Sequence, residues 1–268
     1  MRPMLADQEL SESSTRAPRN RKVELLDLIR THGHIEVSRA SQLLGVSAET
    51  IRRDLRALEG EHLIRRRYGT AVPVESGVFE SDLSYRETNG AEEKERIAHA
   101  AVERLGEAQT IFLDEGFQTQ LVASLLPETR PLVVVTSSLP IANILVKRTN
   151  IQLIVLGGRV RNNTLGVVDH WAAEMLRGFA FDVAFIGANG VSVAAGLTTQ
   201  DPAVAMVKEC AVRVSARRIF VGAHHKFGLT TFVRFAQLDD FEVMLTGREL
   251  SQSRASQYAS AGAQLVRV

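Results

Sequence analysis

A small α+β module of three helices and a basic β-hairpin, followed by a larger α/β domain on a mostly parallel sheet, is the architecture this sequence predicts. Three observations carry it. Apolar residues recur at helical spacing before Pro73, as Val23, Leu26 and Ile29 and again as Ile51, Leu55 and Leu58. The texture changes after Pro73, where residues 74–90 follow neither period. From Thr110 onward, short β-branched runs alternate with helical segments, the pattern of parallel strands joined by helical crossovers.

Residues 1–18 are polar, aperiodic and broken by Pro, and read as a disordered tail. A first helix begins near Arg21 and stops at Gly33, and Ile35 and Val37 allow a very short strand. Ser38 suits the cap of a second helix ending at Gly45, and Ser47 the cap of a third. Leu63 to Pro73 reads as a hairpin, with two short apolar segments around Arg65, Arg66 and Arg67 and a Gly turn. Residues 19–74 thus form one domain, 75–90 a linker and 91–268 a second domain. That domain opens with a helix at 91–105. Its strands are expected at 111–113, 132–135, 153–156, 183–186, 219–221, 243–245 and 264–266, and its helices near 117–126, 140–148, 171–177, 202–216 and 251–260.

The chain of 268 residues is 45% hydrophobic and 24% charged, enough apolar matter for a sizeable core. The single cysteine, Cys210, excludes an internal disulfide framework and a Cys-based zinc site. No apolar run is long enough to span a bilayer and residues 1–18 lack the apolar core of a signal peptide, so a cytoplasmic protein with no membrane partner is expected. The net charge of +1 is a cancellation. Residues 19–72 hold eleven basic and seven acidic groups, whereas residues 73–268 hold nineteen and twenty-one.

The positive charge falls on particular elements. Helix, short helix, Gly-containing turn, longer helix and basic hairpin, in that order, make a winged helix-turn-helix. Gly45 permits the positive φ that the steep turn needs, and Ser47 caps the helix after it. With Ile51, Leu55 and Leu58 turned inward, Ser47, Glu49, Thr50, Arg52, Arg53 and Arg56 are left to face a major groove, and Arg65, Arg66 and Arg67 to lie along the backbone or a minor groove. Arginine suits both tasks, because its planar fork pairs with guanine edges and with phosphate oxygens. An Arg-rich helix alone is usually a solvated face; the turn and the basic hairpin together decide for double-stranded DNA.

The run Val46-Ser47-Ala48-Glu49-Thr50-Ile51-Arg52-Arg53-Asp54-Leu55, followed by Leu58-Glu59, resembles the recognition-helix signature of the DeoR family of bacterial transcriptional regulators. Gly33 to Val37 and Leu63 to Arg66 are also similar to that family. Tyr68-Gly69-Thr70-Ala71 departs from the His-Gly-Gly-Ala wing tip more common there.

Small polar loops follow the strands of the second domain: Asp114 to Thr119, Thr136 to Ser138, and Gly157-Gly158. Loops leading into helix N-termini at the carboxyl edge of a parallel sheet suit a phosphate or carboxylate, and Arg161, Lys208 and Lys226 add charge. The family resemblance extends over this region through Leu156 to Arg161, Ala184 to Gly190 and Lys226-Phe227-Gly228, among other segments. It implies a fold similar to ribose-5-phosphate isomerase and CoA transferases, and a domain that senses a phosphorylated sugar. By the same implication the effector contacts are Gly116, Thr119, Thr136, Ser137, Gly157, Gly158, Arg161, Lys208 and Lys226. Three departures stand out. Glu115-Gly116-Phe117-Gln118 replaces a small, hydroxyl-rich loop, and Ala223-His224-His225 replaces a more acidic and polar stretch. Leu165 to Trp171, with Asp201 to Val204, resembles the subset associated with fructose operons, which implies fructose 1-phosphate.

No metal site is expected at His224-His225, since neighbours in a strand face opposite ways and no carboxylate set joins them. No cofactor is expected. The alternative reading, a sugar-phosphate isomerase, lacks its base: Asn189 and Ser192 stand where the resembling isomerases carry acidic residues. A non-enzymatic, sequence-specific regulator is expected instead, a repressor of a sugar catabolic operon. It is expected to act as a homodimer or homotetramer, because symmetry doubles the contact set of one helix-turn-helix.

Overall fold

The computed structural model describes residues 18–32, 34–60, 63–67, 70–73 and 90–268. The expectations for the tail, Gly33, the Tyr68-Gly69 wing tip and most of the linker lie outside the described residues. The chain divides into two compact units with the boundary between Pro73 and Val74.

The first unit runs α1 (Pro18–His32), β1 (Ile35–Glu36), α2 (Val37–Leu44), α3 (Ala48–Gly60), β2 (Ile64–Arg67) and β3 (Thr70–Pro73). Its antiparallel sheet has the order β1-β3-β2, with Ile35 opposite Ala71 and Arg66 opposite Ala71 on the other side. The core joins Leu25, Leu26, Ile29, Ala40, Ile51, Leu55, Leu58 and Ile64. Val23, expected on the inner face of α1, is 56% exposed, and Leu25 takes its place. The turn works as its sequence requires. Gly45 adopts φ 65 and ψ 32, and the amides of Gly45 and Val46 both reach the Ser41 carbonyl. Ser47 Oγ accepts the Thr50 amide at 3.2 Å and so caps α3. Ser38 is not the cap of α2; that place falls to Glu36, without a side-chain cap.

The second unit contains α4 (Ala91–Glu103), β4 (Thr110–Leu113), α5 (Phe117–Ser124), β5 (Leu132–Thr136), α6 (Leu139–Leu145), β6 (Ile151–Val155), β7 (Arg159–Val160), β8 (Val167–Val168), α7 (His170–Arg177) and β9 (Phe181–Ile186). It continues with β10 (Gly190–Ser192), β11 (Gly196–Thr199), α8 (Pro202–Arg213), β12 (Ser215–Val221), β13 (Val233–Ala236), β14 (Val243–Thr246), α9 (Gln252–Ser260) and β15 (Leu265–Arg267). Seven strands form one sheet in the order β15-β14-β12-β9-β4-β5-β6, and every pairing in it is parallel.

Alternation along the strands builds two cores. Ile111, Leu113, Val183, Phe185, Ile219 and Val221 pack with Ile97, Ala101, Val122, Ile141 and Leu145 of α4 to α6. Phe112, Ala184, Ile186 and Phe220 pack on the opposite face with Ala172, Leu176, Ala211 and Tyr258 of α7 to α9. Burial on both faces is why these strands read as continuous apolar runs.

Two features were not expected from sequence. A three-stranded antiparallel sheet, β10-β11-β13, lies beside α8, and β7 pairs with β8 as a short hairpin. The Gly, Ser and Thr of β10 and β11 read as loop, and β7, β8 and β13 are too short to show a period.

Candidate functional site

The first candidate surface is the outer face of α3. Glu49, Arg52, Arg53 and Arg56 are exposed, and Thr50 is half-buried. Glu49 accepts Arg56 at 3.1 Å and Arg52 at 3.4 Å, and these hydrogen bonds, that from Arg56 foremost, hold its carboxyl below the usual carboxylate range. Arg52 and Arg56 thus converge on one carboxylate on the solvent side. Arg66 is exposed on β2 and bonds Glu59 at 2.5 Å. Arg65 and Arg67 sit on β2 opposite Val72 and Thr70; their side chains lie outside the described residues.

Sequence reasoning missed Asp54. It is buried, and its two oxygens accept Arg21 Nε at 2.6 Å and Arg21 Nη2 at 3.3 Å. The hydrogen bond to Asp54 raises the Arg21 pKa above its ordinary value. This fork fixes α3 on α1, so Asp54 positions the arginines on either side of it. The signal was available: Asp54 follows Ile51 by three residues and precedes Leu55, on the apolar face.

The second candidate site lies at the carboxyl edge of the parallel sheet. Asp114, the residue after β4, is fully buried. Its Oδ2 accepts Lys208 Nζ and the Gly187 amide, the latter at 3.0 Å, and Lys208 Nζ also donates to the Gly187 carbonyl at 3.1 Å. Burial drives the Asp114 carboxyl upward, and the Lys208 charge is the main force against it. Glu115 points the other way, accepting the Thr164 hydroxyl at 2.5 Å and Arg161 Nη1 at 3.3 Å. Arg161 also meets Asp201 at 3.2 Å, while Asp201 caps α8 by accepting the Ala203 amide at 2.8 Å.

The hydroxyls are mostly engaged within the loops. Thr119 Oγ1 reaches the Asp114 and Gly116 carbonyls at 2.7 and 2.9 Å, and Thr136 Oγ1 donates to the Leu113 carbonyl at 2.8 Å. Ser137 Oγ is buried with no hydrogen-bond partner among the described residues. Gly116 opens α5 at φ 126. Gly157 and Gly158 are exposed, and the Gly157 amide contacts Met175 Sδ at 3.1 Å. Lys226 is half-buried in a 3-10 turn after β12. The structure therefore brings Arg161 and Lys208 together through Asp114 and Glu115, beside Gly116, Thr119, Thr136 and Ser137.

The altered loop is anchored at each departure. Glu115 holds Arg161, Lys94 Nζ sits over the Phe117 ring at 5.3 Å from its centre, and Gln118 Nε2 donates to the Lys94 carbonyl at 2.8 Å.

The expectation that no carboxylates join His224 is corrected. His224 and His225 lie in the 3-10 turn rather than a strand, and ligand atoms of Glu93, His224 and Glu249 fall within 4.8 Å of one another. Glu93 accepts the His224 amide at 2.7 Å and faces its Nδ1 at 2.8 Å, and Glu249 pairs with Arg96 at 2.6 Å. Protein contacts account for that cluster. A shallow groove lined by Glu107, Gln109, Asp182 and Arg217 lies at the amino ends of β4 and β9, the opposite edge of the sheet.

A capped, arginine-bearing helix in a helix-turn-helix, carried on the same chain as a parallel α/β sheet with polar loops at its carboxyl edge, defines a DNA-binding transcriptional regulator with a sensor domain. The chain belongs to the DeoR family: residues 21–76 match the DeoR-like helix-turn-helix domain and residues 89–248 the DeoR C terminal sensor domain. It is 35% identical over 249 residues to the HTH-type transcriptional regulator GlpR of Haloferax volcanii, covering 93% of this chain and 97% of that one. It is 29% identical to the uncharacterized HTH-type transcriptional regulator FruR of Bacillus subtilis, over 84% and 89% of the two chains. It is 28% identical to the glycerol-3-phosphate regulon repressor of Escherichia coli, over 83% and 88%. Among the described residues no helix is long and apolar enough to cross a membrane.

Proposed function

We propose that this chain is a cytoplasmic repressor of a sugar catabolic operon, released from its operator by a phosphorylated sugar. The observation that carries the reading is the outward row of Glu49, Arg52, Arg53 and Arg56 on a helix pinned from beneath by Asp54 and Arg21. In this reading residues 19–74 bind double-stranded DNA through Ser47, Glu49, Thr50, Arg52, Arg53, Arg56 and Arg65 to Arg67, as a homodimer or homotetramer. Residues 91–268 take the effector at Gly116, Thr119, Thr136, Ser137, Gly157, Gly158, Arg161, Lys208 and Lys226. The effector shifts the protein toward an arrangement that no longer matches the operator, which requires different affinities for the two arrangements.

Fructose 1-phosphate is the effector proposed, on the 165–171 and 201–204 segments and the similarity to FruR. The isomerase alternative is not favoured. The relatives are named as regulators, and Asp114, Glu115 and Asp201 are held by Lys208 or Arg161 rather than poised as bases. A thermal-shift screen of sugar phosphates tests the sensing half, since a ligand of the native state raises its melting temperature. A rise with fructose 1-phosphate is expected. No rise with any sugar phosphate, or turnover of one, overturns the assignment.

A further inference from the structure

Arg161 is the guanidinium best placed to receive an anionic group at the sheet edge, yet the chain fills it from within. Its Nη1 meets Glu115 Oε1 at 3.3 Å, its Nε meets Asp201 Oδ2 at 3.2 Å, and Thr164 donates its hydroxyl to the other Glu115 oxygen at 2.5 Å. One guanidinium N–H and one hydroxyl are the donors that two oxygens of a phosphate take. The side chains of Glu115 and Arg161 are only 6% and 9% exposed, so the contact is shielded from solvent.

The surrounding backbone is shaped to this carboxylate. A Cβ at Gly166 would overlap the Glu115 carboxylate, so glycine there keeps the space open. Gly166 bridges to Ser138, and the Val167 amide donates to the Ser137 carbonyl at 2.6 Å. The negative charge of Glu115 therefore stands beside the Thr136 to Ser138 loop, where Ser137 Oγ is buried without a partner among the described residues.

We propose that Glu115 is the specificity-determining residue of the effector cleft: its carboxylate is an internal anion seated on Arg161 and Thr164, and an effector's anionic group reaches Arg161 only by displacing it. The inference rests on the sheet edge being the effector site. A bare anion competes with Glu115 on charge alone and meets Asp201 as well, so it binds weakly. A sugar phosphate adds hydroxyl contacts and wins the exchange. Glu115 lies between Asp114 and the Gly116 that opens α5, so its displacement also moves the entry to that helix.

Isothermal titration of the full chain with inorganic phosphate and with fructose 1-phosphate tests this, using wild type, Glu115→Gln, Glu115→Ser and the double variant Glu115→Gln/Arg161→Gln. Each variant's fold is checked by circular dichroism, and the serine variant decides if the glutamine variant does not fold. Removing the carboxylate is expected to tighten inorganic phosphate by about tenfold or more, the effect of relieving one close like charge. The gain is expected to vanish when Arg161 is also replaced. Unchanged or weaker phosphate binding in the folded single variant, or a gain that survives the loss of Arg161, overturns the proposal. Wild-type binding of fructose 1-phosphate without any gain on removing Glu115 overturns this inference alone. Failure of every protein to bind either probe removes the effector site with it.

Discussion

Arg21 and Asp54 form a two-pronged ion pair in the interior of the N-terminal unit, with Nε to Oδ2 at 2.6 Å and side chains 8% and 4% exposed. The pair joins the first helix to the helix that carries the exposed Arg52, Arg53 and Arg56. Its removal leaves a buried charge, so Asp54→Ala is expected to destabilise this unit by about 3–5 kcal/mol. Urea unfolding of the full chain, followed by a probe in each unit, reads this out. The transition of the N-terminal unit should move and that of the α/β unit should not. An unmoved N-terminal transition contradicts the role given to the pair.

Arg52→Ala leaves the Asp54 fork and the apolar face of α3 intact. Operator affinity is expected to fall by about 1–3 kcal/mol, with the α/β unit still folded. Fluorescence anisotropy at matched salt measures it, since phosphate contacts make such affinities strongly salt-dependent. Equal affinity for wild type and variant removes Arg52 from the interface.

Much of this is legible in the sequence. The recognition helix showed in the three-residue and four-residue spacing of Ile51, Leu55 and Leu58, and the parallel sheet in runs such as Leu132 to Val135. What stayed hidden has physical reasons. β10 and β11 are rich in Gly, Ser and Thr, and β13 is only 4 residues long, so their pairing depends on α8 beside them rather than on local propensity. Helix α8 was expected to run to residue 216; Ser215 instead begins β12, with only Val214 between them. Glu115 and Arg161 lie 46 residues apart, and no spacing rule joins them. Lys208 on α8 and Asp114 after β4 lie 94 residues apart, so their pairing was equally hidden.

That buried pair gives a pH-dependent expectation. A carboxyl held above its ordinary 3.8 keeps a proton in the folded state that the unfolded chain releases, so its contribution falls as pH rises from 3.8 through the folded value. Lys208→Met removes the main charge that counters the burial of Asp114. The stability deficit of the variant is therefore expected to be small in acid and to grow toward neutral pH, reaching about 3–5 kcal/mol. Thermal melts across pH measure it. A deficit that is flat with pH, or larger in acid, contradicts the pairing.

Gly166→Ala places a methyl group in the space of the Glu115 carboxylate. A loss of about 1–3 kcal/mol is expected, the usual range for overpacking. Adding Glu115→Ala should recover most of it, because the two changes share one space and are not additive. Full additivity in denaturant unfolding places the strain elsewhere.

Anisotropy of the full chain on a labelled fragment of its own promoter, titrated with fructose 1-phosphate, shows whether one chain both reads DNA and lets go on sensing a phosphorylated sugar. Tight binding without the sugar phosphate, and release on its addition but not on addition of fructose, is the result expected. Binding indifferent to every sugar phosphate, or no preference for the promoter over unrelated DNA at matched salt, rules out a sugar-phosphate-released repressor.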